Sequence, residues 1–136
     1  DDEAVITRYR RFGWALGLAF QINDDLLGIW GAEQATGKEP SDVAHKKKTL
    51  PVIYAVEHAG PEDRARLLEI YSKPDPQAAE LTEIVQTLER VGAREYTRDQ
   101  ARRYRDEALS ELDAAGVVQP AARARLREII VGVISA

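Results

Sequence analysis

An all-α fold follows from three observations on the sequence. Apolar residues recur at steps of three and four along nearly every segment. No stretch alternates apolar and polar residues as a half-buried strand does. Prolines fall between the periodic segments or in their first turns, where a helix tolerates them.

Residues 2–30 read as one long helix of good helix formers, with Asp1, Asp2 and Glu3 at the start to complement the helix dipole. Gly31 to about Ala44 reads as a loop, with Thr36-Gly37 and Pro40-Ser41 as breakers. A short helix is expected from about Thr49 to Ala59, its apolar residues being Leu50, Ile53, Tyr54 and Val56. Gly60-Pro61 ends it, and Pro61 can open the next helix, to about Tyr71. "SKPDP" at 72–76 is a turn. Leu81, Ile84, Val85, Leu88 and Val91 mark a helix ending at Gly92. Tyr96, Ala101, Tyr104, Ala108, Leu112 and Ala115 mark another, stopped by Gly116. Pro120 opens the last, with Leu126, Ile129, Ile130, Val133 and Ile134 as its face. There is no internal repeat and no low-complexity linker.

The 136 residues suit one domain with a real core, and 44% hydrophobic with 31% charged is the profile of a soluble globular protein. A net charge of −4 argues against nucleic acid as a partner. No apolar run reaches the roughly 18 residues of a membrane span, and no basic-then-apolar leader is present. Cysteine is absent, which excludes disulfides and thiolate metal sites and fits a cytoplasmic protein. Methionine is absent even at position 1, so a piece of a longer protein is expected. Four of the five lysines fall between Lys38 and Lys48, a local concentration in an arginine-rich chain.

"AFQINDDLLGIWG", Ala19 to Gly31, sets two aspartates in an otherwise apolar run. Unpartnered carboxylates there would cost several kcal/mol each, so a partner is required. On a helical wheel Gly13, Gly17, Asp24, Asp25, Gly28 and Gly31 fall within about 80° of Gln21. Phe12, Ala15, Leu16, Leu18, Ala19, Phe20, Ile22, Leu26, Leu27, Ile29 and Trp30 cover most of the rest. Such a helix is expected to be buried among others, its polar strip forming the wall of a cavity. Arginines from neighbouring helices are one partner for the acids. A hard divalent cation is the other, because Mg²⁺ takes oxygen ligands and shares them with phosphates. "TGKEPSDVAHKKKTLP" follows closely and supplies lysines for phosphate charge. A KKK run is usually a solvated patch, so at most one or two of Lys46, Lys47 and Lys48 are expected to face the cavity. Gly31 to Lys38 fails as a P-loop: the spacing is wrong, Glu39 replaces Ser/Thr and no strand precedes it. His45 and His58 are isolated, so structural or surface roles are expected.

"FGWALGLAFQINDDLLGIWG" followed by "TGKEPSDVAHKKKTLPVIYA" resembles the second aspartate-rich region of the trans-isoprenyl diphosphate synthases, the farnesyl and geranylgeranyl diphosphate synthase family. "GAREYTRDQARRYRDEALSELDA" resembles the family's C-terminal helices. The resemblance implies an all-α helical bundle of the isoprenoid synthase type, with residues 1–136 as the C-terminal portion of the catalytic domain. It implies a Mg²⁺-dependent condensation of an allylic diphosphate with isopentenyl diphosphate, releasing pyrophosphate, in a cytoplasmic homodimer. Position by position, Asp24 would be the direct Mg²⁺ ligand and Asp25 its support through water. Lys38 and Lys47 would bind the allylic diphosphate, making Asp24, Lys38 and Lys47 the catalytic set. Gln21 would line the substrate side, and Phe20 would pack on the prenyl chain.

Two departures stand out. The family's usual motif is DDxxD, whereas this chain reads Asp24-Asp25-Leu26-Leu27-Gly28. The first aspartate-rich motif and the basic residues that hold isopentenyl diphosphate are absent from these residues, so the chain alone is expected to be inactive. A terpene cyclase on the same fold is an alternative, as is a non-catalytic regulatory subunit of a synthase. Retention of Asp24, Asp25, Lys38 and Lys47 together speaks against the subunit.

Overall fold

In the computed structural model, residues 1–31, 40–116 and 119–134 are described, and their regular structure is helical throughout. Helix α1 (Asp2–Trp30) is the long first helix, uninterrupted because no proline falls within it. There follow α2 (Ser41–Ala44), α3 (Leu50–His58), α4 (Pro61–Ser72), α5 (Ala78–Arg90), α6 (Ala93–Ala115) and α7 (Pro120–Val133). Proline is the first residue of α4 and α7, its fixed φ matching a helical first turn. Gly92 (φ 80°) and Gly116 (φ 68°) end α5 and α6 in the left-handed conformation that lacks a Cβ penalty.

Two compact units make up the chain: residues 1–23 with 98–136, and residues 24–97. In the first, Trp14 of α1 meets Tyr104 of α6 edge to face, with centroids 5.8 Å apart, a contact worth about 1 kcal/mol. Arg8 pairs with Glu111 at 3.0 Å. The buried positions here include Ala15, Ala19, Ile22, Ala101, Ala108, Leu112, Ile130 and Ile134. Two side chains close off the end of α7: Asn23 Nδ2 donates to the Val133 carbonyl and Arg105 Nη1 to the Ile134 carbonyl.

The second unit packs α3, α4 and α5 against one another, and α2 on α5. Leu67, Ile70, Ile84 and Leu88 are fully buried, each contributing about 2 kcal/mol of transfer free energy. Trp30 is buried as well, its indole N–H donating to Glu89 Oε1 at 3.2 Å while the Arg94 guanidinium lies 5.5 Å over the ring. Between α4 and α5, Arg66 grips Glu83 with two hydrogen bonds of 2.8 and 2.9 Å, and Lys73 pairs with Glu80.

Three expectations need correction. The stretch from Gly31 to Ala44 is not all loop, since Ser41–Ala44 is helical. On α3 the buried residues are Pro51, Val52 and Ala55, while Ile53 is exposed; a nine-residue helix offers too few turns to fix its face. The face of α7 narrows to Ile130 and Ile134, with Ile129 and Val133 in solvent. On α1, Gly13, Gly17, Gln21 and Asp24 are exposed, and so are Trp14, Phe20 and Leu27 beside them. Of the predicted polar strip, Asp25 is by contrast buried and Gly28 half-buried, so the strip does not form the wall of a single cavity.

Candidate functional site

The two adjacent aspartates point to opposite environments. Asp25 is 7% exposed, and its Oδ2 accepts the Leu50 backbone N–H at 3.1 Å. Leu50 is the first residue of α3, whose early amides have no intrahelical acceptor. Thr49, the N-cap residue, makes no capping bond, and its buried Oγ1 has no hydrogen-bond partner among the described residues. The carboxylate of Asp25 therefore caps α3 from another helix, where the positive end of the dipole stabilises it. Asp24, one residue earlier and about 100° round the helix, is exposed.

The lysine cluster is sorted by one turn. Helix α2 ends with Lys46 N–H bonded to the Val43 carbonyl at 3.0 Å and Lys47 N–H to the Asp42 carbonyl at 2.9 Å. This paired closure is a Schellman motif, with Lys46 in its left-handed position at φ 53°. A lysine there costs about 1 kcal/mol relative to glycine. The reversal sends the three side chains apart. Lys46 Nζ donates to the Lys73 carbonyl at 2.6 Å, tying the turn to the end of α4. Lys47 stays 58% exposed, with Nζ 3.9 Å from Asp42 Oδ1. Lys48 borders an apolar groove between α3 and α4 lined by Val52, Ile53, Leu67, Leu68 and Tyr71, about 300 Å³ in volume.

Asp24, Asp25, Asp42 and Lys47 all belong to the unit spanning residues 24–97. Phe20 and Gln21 are exposed on α1, one turn before the aspartates. Lys38 lies outside the described residues. His45 and His58 each bond a carbonyl of their own helix, Ser41 and Tyr54, in keeping with surface roles. Asp42 and Tyr71 are the residues that motif reasoning did not single out. Asp42 stands five residues before Lys47 in "SDVAHKKK", and that spacing is the signal: it is the closure of the Schellman turn. The Tyr71 hydroxyl donates to the Lys47 carbonyl at 3.4 Å, and its phenol is pushed up to about 12, by burial first and the charge of Asp42 second.

No group of three or more His, Cys, Asp or Glu side chains converges among the described residues. The donor chemistry nonetheless fits a Mg²⁺ shared with phosphate, which needs only one or two carboxylates from the protein and keeps several waters. Asp24 is an open hard-oxygen donor, and Lys47 is an exposed cation in the same unit.

The sequence model named polyprenyl synthetase matches residues 1–88. A (2E,6E)-farnesyl diphosphate synthase of Mycobacterium tuberculosis is 37% identical over 110 residues, covering 78% of this chain and 31% of that protein. A polyprenyl synthetase from Streptomyces coelicolor A3(2) superposes with a TM-score of 0.76 at 37% identity, over 99% of this chain and 40% of that one. A geranylgeranyl pyrophosphate synthase from Corynebacterium glutamicum, solved with isoprenyl diphosphate and magnesium, superposes with a TM-score of 0.81 at 25% identity, over 95% of this chain and 37% of that one. The chain thus spans about a third of the length of these relatives.

Proposed function

The chain belongs to the polyprenyl synthetase family, and from that premise we propose that it is the C-terminal portion of a trans-prenyltransferase. The complete enzyme joins an allylic diphosphate to isopentenyl diphosphate and releases pyrophosphate. The family match over the stretch that holds both Asp24 and Lys47 carries this reading. Support also comes from the exposure of both side chains within one compact unit.

Asp24 would hold Mg²⁺, with Asp25 as its fixed neighbour; when bound, the ion supplies Lewis-acid stabilisation of the leaving diphosphate. Asp25 gives α3 its start and thereby fixes where the lysine turn meets α1. Lys47, and by family resemblance Lys38, neutralise the diphosphate oxygens as charge develops on them. By family resemblance, Gln21 would line the substrate side and Phe20 would pack on the prenyl chain. The complete enzyme is a cytoplasmic homodimer in this reading, and the 136-residue chain alone does not turn over.

The test is a product assay on the complete protein with labelled isopentenyl diphosphate, an allylic diphosphate and Mg²⁺. Label is expected in a lengthened prenyl diphosphate, and a chelator should abolish it. Consumption of the allylic substrate without incorporation of label would replace elongation with cyclisation. No consumption of either substrate would leave the regulatory-subunit reading.

A further inference from the structure

Gly28 is in contact with a side chain from another helix. A Cβ placed on it would meet Asp42 Oδ2 at 2.1 Å, Cγ at 2.3 Å and Oδ1 at 2.7 Å. A Cβ at 28 would have to turn the Asp42 carboxylate aside, and that group, the end of a side chain, can rotate away at little cost. Gly28 lies one turn after Asp24, so the carboxylate reaches α1 close to the face that carries Asp24.

Asp42 also meets Lys47 twice. Its backbone carbonyl accepts the Lys47 N–H in the Schellman turn, and its Oδ1 lies 3.9 Å from Lys47 Nζ. The Asp42 side chain is 14% exposed, shielded enough for its charge to matter locally. Tyr71 braces the same turn through the Lys47 carbonyl. Among the described residues, Asp42 is what limits the rotamers of this exposed lysine on its four-carbon stem.

Resting on the reading of Lys47 as a diphosphate-binding residue, we propose that Asp42 is the positioning residue of this site. Its carboxylate, seated on bare Gly28, holds Lys47 beside the Asp24 face of α1, and a side chain at 28 would displace it from that seat.

The test is a pair of double-mutant cycles in the complete protein. In the first, the change in thermal midpoint on Gly28→Ala is expected to be less favourable with Asp42 in place than in an Asp42→Ala background. Equal shifts in the two backgrounds would overturn the seating. The second cycle reads binding of inorganic pyrophosphate with Mg²⁺ and the KM for the allylic diphosphate. Asp42→Asn keeps the shape and removes the charge; it should weaken pyrophosphate binding by about tenfold, raise the KM and lower kcat as well. In a Lys47→Ala background the same change should add almost nothing. Full additivity of the two would overturn the positioning role, as would an unchanged KM and pyrophosphate affinity in Asp42→Asn. The stability cycle requires no turnover, so a complete protein that elongates nothing would refute the proposed function while the Gly28–Asp42 pair remained measurable.

Discussion

Asp24 and Asp25 are neighbours with separable roles, and substitution distinguishes them. Asp25→Ala removes a charge-assisted bond to the α3 terminus and leaves Leu50 N–H without its acceptor. It should destabilise the protein by about 1.5–3 kcal/mol, read from the urea unfolding midpoint. Asp24 is exposed and makes no comparable structural bond among the described residues, so Asp24→Ala should leave that midpoint within about 0.5 kcal/mol of the parent. In the complete enzyme the same change should lower kcat by orders of magnitude. Near-parental turnover in Asp24→Ala would sink the metal assignment. The local sequence places both acids on a helix, but it offers no sign of which one is capped. That depends on Leu50, 25 positions away.

At the scale of elements, the joint between α4 and α5 is ionic. The carboxyl of Glu80 is held below its ordinary range by its hydrogen bond to Lys73 and then by the Gln77 backbone N–H. That of Glu83 is lowered by its hydrogen bonds to Arg66. Both folded-state values lie below the unfolded value of about 4.5, so the unfolded chain binds these protons first as pH falls. The stabilisation is fully present above that value and is lost as pH drops through the folded values. Urea midpoints measured from pH 7 to pH 3 should therefore fall in the acid range. Arg66→Ala should flatten the part of this slope that belongs to Glu83, and an unaltered slope would contradict the assignment. The elements themselves were legible wherever a helix had several turns and a proline or glycine boundary, as in α1, α4, α5 and α6. Helix α2 was not, because four residues carry no periodicity and its stop uses Lys46 where glycine is the usual signal.

At the scale of the whole molecule, α1 presents Ile6, Trp14, Phe20 and Leu27 to solvent, with Leu27 53% and Trp14 58% exposed. Apolar side chains gathered along one helix favour association. The 136-residue chain by itself should self-associate, and light scattering that returned a compact, stable monomer would contradict this. No helix among the described residues is long and apolar enough to cross a membrane, so these side chains do not form a span.

The sequence by itself determined the all-α class, most helix boundaries, the aspartate pair and the family, because helical period, capping and motif spacing are properties of residues within a few positions of one another. Tertiary structure alone decided that Asp25 is capped and Asp24 open, that the three lysines diverge, and that Asp42 fills the space above Gly28. Each of those outcomes depends on a bond or a contact with a group on another element. A buried carboxylate or a bare Cα is satisfied by whatever the fold brings within a few ångströms of it, and local pattern carries no record of that.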